Sequence, residues 1–149
     1  MYIRNKLKEF YRQFISLRGE PRLIALGLAM GIGVGVTPTI PFHTAIIILL
    51  GVLFRQNITA AYLGSWLISN PITIPFLYVG EYEIGRNLLG MQPASLMLDE
   101  YSISRIAALG WEILLPLLVG GLILAPVIAL PAYFIARRFL DRAGQRRIR

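Results

Sequence analysis

PRLIALGLAMGIGVGVTPTIPFHTAIIILLGVLFRQN, residues 21–57, is the stretch whose reading decides the fold. From Leu23 to Phe54 it is one apolar tract, broken only by His43 and a few threonines. A single membrane span needs about 20 residues, so the tract is too long for one crossing and too short for two. Pro38 and Pro41 divide it into arms, Leu23–Val36 and Phe42–Phe54. At 1.5 Å per residue each arm rises only about 20 Å, less than the hydrocarbon thickness. A re-entrant hairpin, turning near mid-depth at the prolines, fits that arithmetic. One tilted, kinked helix is the competing reading.

The words of the break recur. Residues 37–43 read TPTIPFH and residues 70–76 read NPITIPF, so Pro71 and Pro75 interrupt a second apolar segment as Pro38 and Pro41 do the first. Asn70 before Pro71 has the form of an N-cap followed by proline at the first helical position, and Thr37 before Pro38 is similar. A half-helix starting inside a bilayer points N–H groups and a positive dipole end into the membrane. Transporters hold anionic groups at such paired discontinuities. On this reading Thr37, Thr39, His43, Thr44, Asn70 and Thr73 form a candidate site for a phosphate or carboxylate. The bland reading is that these polar groups merely satisfy carbonyls freed by the kinks, with His43 a buried donor to a carbonyl.

Composition places this pattern in a membrane. The 149 residues are 56% hydrophobic with mean hydropathy +0.62, and only 15% are charged. The net charge of +7 is concentrated at the two ends. Residues 1–22 hold Arg4, Lys6, Lys8, Arg12, Arg18 and Arg22 against Glu9 and Glu20, and six basic residues against Asp141 follow position 136. Basic flanks around an apolar body follow the positive-inside rule, and no nucleic-acid motif accompanies the charge. Cysteine is absent and His43 is the sole histidine, so disulfides, thiol catalysis and histidine-cluster metal sites are not expected. No nucleophile–base set emerges, no enzyme is expected, and no cofactor is expected. The long polar start and the lack of an A-x-A-like site argue that the first apolar stretch is retained.

The rest of the chain reads as an all-α, small polytopic membrane protein. Over residues 1–22, Ile3, Leu7, Phe10, Tyr11, Phe14 and Leu17 fall at helical spacing opposite basic residues, the pattern of an interfacial amphipathic helix on anionic headgroups. The membrane domain, 23–136, comprises the broken hairpin 23–54, a helix 58–78, a polar interfacial segment 80–112 and a span 113–136, followed by a basic cytoplasmic tail, 137–149. Gly27, Gly31 and Gly35 recur every four residues, a seam for close helix packing and an expected route to a homo-oligomer. GIGVG lacks the strand and lysine of a nucleotide loop. Glu81, Glu83 and Arg86 are further ligand-binding candidates if they lie at membrane depth, and ordinary solvated charges if they lie at the interface. The net acidic 80–112 segment outside and both basic termini inside give one consistent topology. A second re-entrant hairpin over 58–90 is the alternative.

Residues 21–85 resemble a bacterial membrane family known as domain of unknown function 2062. The resemblance rests on Pro21, Gly27, Gly31, Pro38, Pro41, Arg55, Asn57, Asn70, Pro71, Tyr78 and Gly85, with Asn70-Pro71 the most specific part. It implies a bacterial inner-membrane protein. Some similar proteins carry a glycosyltransferase domain, which by association implies lipid-linked sugar or envelope-lipid metabolism. The expected function is a transporter- or flippase-like binder of an amphiphilic anion, such as a polyprenyl phosphate. The alternative is a scaffold that recruits an envelope enzyme such as a lipid-linked glycosyltransferase.

Overall fold

The computed structural model describes residues 4, 5, 8, 9, 12, 13, 16, 17, 19–39, 42–92 and 103–147, with side chains of the last helix described over 110–143. Five helices, and no strand, are formed among these residues: α1 Pro21–Val36, α2 His43–Leu53, α3 Ile58–Ile68, α4 Thr73–Leu89 and α5 Ile103–Arg147. The isolated described positions before α1 from Arg4 to Ser16 are helical and exposed, and all are polar. The apolar stripe expected opposite them lies outside the described residues except Leu17, which packs on the core.

Small residues set the central packing. Side chains added to Gly27, Gly31 and Gly35 of α1 would collide with the backbone of Asn57, Ala61 and Ser65 respectively. Each four-residue step on α1 meets a four-residue step on the α3 side in the same direction, so the two helices run parallel with backbones in contact. Gly64 of α3 returns the contact against the Leu28 carbonyl. Such approach is how helices associate where lipid removes the hydrophobic drive. The glycine seam is therefore filled by α3 of the same chain. This corrects the expectation that it serves a second copy: once two backbones touch, no third helix can enter the groove.

α2 runs antiparallel to both and packs alongside them. His43 at its start reaches Thr37 at the end of α1, and Asn57, just past its end, donates its N–H to the Leu23 carbonyl at 3.4 Å. Ile47 packs with Val34 and Ala61. The chain then reverses through Arg55, whose positive φ of 50° takes the left-handed conformation that most side chains avoid. Asn57 caps α3 by accepting the Ala60 N–H at 2.9 Å. Leu23–Phe54 is thus a helix–turn–helix reversal, not one kinked helix.

α5 runs opposite to α1. Ile24, Ala25 and Leu28 pack with Ala136, flanked by Ala132, Tyr133 and Leu140, while Gly121 meets Thr37 and Pro38 at the other end of α1. α4 is antiparallel to α5, with Gly85 against Pro116 and Gly120 against the Glu81 backbone. α3 and α4 consequently succeed one another in the same direction. The start of α1 and the Arg137–Arg138 region of α5 lie at one end of the bundle.

Three boundaries differ from the sequence expectation. The 58–78 helix is two helices, because Ser69–Ile72 leaves helical geometry at Pro71. The second runs on through Glu81, Glu83 and Arg86 to a left-handed Gly90 (φ 63°), so positions 80–89 are helix rather than a separate polar segment. The last span is the middle of a 45-residue helix that continues through Pro116, Pro126 and Pro131 into the basic tail. Within it, Gly110–Ala143 is long and apolar enough to cross a membrane, and it is the one such helix among the described residues. Its most apolar window has mean hydropathy 2.7 with only 17% of it buried by the rest of the fold, unlike the core helix of a water-soluble domain.

Candidate functional site

The first break closes a helix rather than opening one. Thr37 is the C-cap of α1: its N–H reaches the Gly33 and Val34 carbonyls, and its hydroxyl donates to Val34 at 2.8 Å. Its Oγ1 also lies 3.1 Å from that of Thr39. The expected N-cap role of Thr37 is corrected, because the chain stays extended at Thr37 (ψ 142°) and helix resumes only at His43. The dipole end at Thr37 is therefore negative. His43 Nε2 lies 3.0 Å from the Thr37 carbonyl, and since a carbonyl only accepts, the ring donates there. Thr44 is exposed on α2. Pro41 lies outside the described residues.

At the second break Asn70 does close the chain ahead of a helix, but that helix begins at Thr73 with Ile72 in the N-cap position, two residues later than the sequence suggests. Asn70 Oδ1 accepts the N–H groups of Ile72 (3.0 Å) and Thr73 (3.1 Å), and its own amide donates to the Leu67 carbonyl at 2.9 Å. The Thr73 hydroxyl donates to the Ile68 carbonyl left without a helical partner. Pro71 lies in the turn just ahead of α4, and Pro75 sits in its first turn, where a missing N–H is tolerated. Each polar group thus closes the turn that contains it. The hydrogen bonds of Thr37, Thr39, Asn70 and Thr73 stay within their own breaks, as in the bland reading, and the helix start after Asn70 is plugged by its own cap. Asn70→Ala should lower stability by about 1 kcal/mol, seen as a reduced midpoint in detergent unfolding.

A different group stands out. Glu81 of α4 is 0% exposed, and neither carboxylate oxygen has a hydrogen-bond partner. Its backbone presses on Gly120, and its carboxyl carbon lies 3.6 Å from the position a side chain would take on Gly121. The same point is 2.9 Å from Pro38 Cδ and 3.4 Å from Thr37 Cα. The carboxyl therefore sits where α4, α5 and the end of α1 converge, brought together with Thr37 but not with Asn70 or Thr73. Gly120-Gly121 was the missed part of this site: the pair was visible in the sequence, yet nothing there said what it faced.

Glu83 and Arg86, one turn apart, form an ion pair at 2.6 Å on the outer side of α4. Arg86 is partly buried and its Nε has no acceptor. The sequence left Glu81 and Glu83 with the same two options, and the fold separates them: Glu81 is sealed and Glu83 is exposed.

A family model for uncharacterised proteins conserved in bacteria, DUF2062, matches residues 4–149. The chain belongs to this family. The match takes in α1 through α5, so both breaks and the Glu81 junction lie in the family's own region. No curated protein and no solved structure matches the chain.

Proposed function

We propose that this DUF2062 protein is an integral protein of the bacterial cytoplasmic membrane that binds and moves an amphiphilic anion, a lipid phosphate such as a polyprenyl phosphate being the class it fits. The observation carrying this reading is the apolar surface. Large side chains such as Leu49, Val52, Phe76, Val79, Val127 and Phe134 are exposed on α2, α4 and α5, and Phe76 is 78% exposed. A surface of this kind requires lipid or a partner. In a bilayer, α3–α4 and α5 make two crossings, and α1–α2 dips in from the end that carries both basic termini. The charge rule puts that end in the cytoplasm. Gly121, level with the hairpin tip, is nine residues past Glu112, or about 13 Å short of the far end of the α5 apolar stretch. That depth favours a re-entrant turn.

Arg86 supplies the cationic contact. It stands just past Gly85, whose partner Pro116 lies near Trp111 and Glu112 at the end of the apolar stretch, so its guanidinium is at headgroup depth. A phosphate can displace Glu83 and take two guanidinium donors. The acyl or prenyl chain then lies along the apolar face. Native mass spectrometry of the purified protein should show a retained phospholipid class that falls about tenfold in Arg86→Gln, the worth of one charge-assisted contact of about 1.4 kcal/mol. Asn70→Ala should retain it, because that side chain is spent on its own turn. Equal retention by wild type and Arg86→Gln would remove the reading.

The scaffold reading draws on one observation. Arg4, Lys8 and Arg12 are exposed on the helical N-terminal segment, a basic face suited to anionic headgroups or an acidic enzyme surface. A soluble enzyme co-purifying stoichiometrically, with no lipid preference, would favour it.

A further inference from the structure

The geometry points to a binding site for one small monovalent cation, a proton or a sodium ion, at the junction of Glu81 with the broken end of α1. A buried carboxyl and the open end of α1 make that junction electronegative. Glu81 brings a fully buried carboxyl with both oxygens unpartnered. α1 ends there, presenting the negative end of its dipole. The Gly35 carbonyl has no helical partner, because Pro38 has no N–H and the Thr39 N–H is given to the Thr37 carbonyl at 2.8 Å. An unpaired charge in an apolar interior costs several kcal/mol, so a native carboxyl in this position needs a proton or a cation.

No fixed charge on the protein fills that role among the described residues. On α5, the residues near Glu81 are Pro116, Gly120 and Gly121, and no titratable residue occurs between Glu112 and Tyr133. α1 carries no charge beyond Arg22 at its start. At the break, His43 is turned onto the Thr37 carbonyl. On α4 itself, Arg86 is engaged by Glu83, and Tyr78 and Tyr82 have no cationic form. Discontinuous membrane helices place coupling ions against unwound carbonyls and helix C-terminal ends, the chemistry present here. Gly120 and Gly121 have a definite part: any Cβ at Gly121 would enter the space between the carboxyl and Pro38. Occupancy would tie α4 and α5 to the hairpin, and emptying it would leave a bare buried charge that favours separating them.

The site goes beyond the lipid reading and does not require it, since Arg86 and the lipid take no part. Purified full-length protein in detergent is heated at fixed ionic strength, with sodium exchanged for choline, and at pH values from 5 to 8. If the cation is sodium, saturating sodium raises Tm by about 5 °C or more and Glu81→Gln abolishes the shift. If it is a proton, sodium has no effect, and the difference in Tm between wild type and Glu81→Gln changes by about 3 °C per pH unit, wild type gaining as pH falls. Glu81→Met, which needs no partner, provides the same comparison if Glu81→Gln fails to fold. The proposal is overturned if wild type and the Glu81 variants respond identically to sodium and to pH. It can fail while Arg86-dependent lipid retention persists, and the reverse also holds.

Discussion

Gly31→Ala is expected to lose about 3 kcal/mol or more, against a total stability of about 5–15 kcal/mol for a typical domain. The added methyl would overlap the carbonyl oxygen of Ala61, which is backbone and cannot rotate aside. Relief requires α1 and α3 to separate along their whole contact, because Gly27, Gly35 and Gly64 lie on the same seam. Separation would also strip Ile24, Ala25, Leu28 and Ile32 from Ala60. Chemical or thermal unfolding in detergent measures the effect. Gly80→Ala is the matched control: nothing lies within 4 Å of its added methyl, and alanine favours helix over glycine by about 1 kcal/mol. One glycine-to-alanine change should therefore destabilise strongly, and the other should be neutral or stabilising. If both behave alike, the α1–α3 contact is wrong.

The second large effect is all-or-none. The chain has no cysteine, so single cysteines can be read without background. Arg142→Cys, at the basic end, should react with a membrane-impermeant maleimide only when the cytoplasmic face is open. Asn87→Cys, near the end of α4, should react only from the opposite face. Phe42→Cys separates hairpin from crossing. Phe42 is 66% exposed on the protein surface, yet a re-entrant turn leaves it in lipid, where the reagent reaches it from neither side. Labelling of Phe42→Cys from the face that labels Asn87→Cys would mean that α1 and α2 each cross. Labelling of Asn87→Cys and Arg142→Cys from one face would exclude α5 as the single crossing between them.

Much of this fold was legible because apolar length and proline position are strong local constraints. The 23–54 tract could not fit one crossing, and its prolines marked the reversal between α1 and α2. Asn70 carried its cap in its own side chain, so its local hydrogen bonds were readable at once. Thr37 was not, because Thr-Pro has the same form whether it ends one helix or begins the next. The Thr37 N–H, bonded back to the Gly33 and Val34 carbonyls, assigned it to the end of α1. The seam was legible as Gly27, Gly31 and Gly35, but its partner was not. Asn57, Ala61 and Ser65 have the same four-residue spacing, yet a second copy of α1 would have satisfied the glycines equally well. The candidate site was least legible. Glu81 and Glu83 are two residues apart in one polar-looking run, and only their angular difference on α4 sends one against Gly120-Gly121 and the other outward.

Local chemistry in the sequence alone thus determined the helical class, the two breaks, the basic ends and the small-residue seam, since chain length, proline and glycine act within a few residues. The tertiary structure decided which backbone fills the seam, that the two breaks play opposite roles, and that Glu81 is sealed while Glu83 is not. Those outcomes depend on which helix faces come together across dozens of residues, and on backbone contact distances that residue identity does not encode.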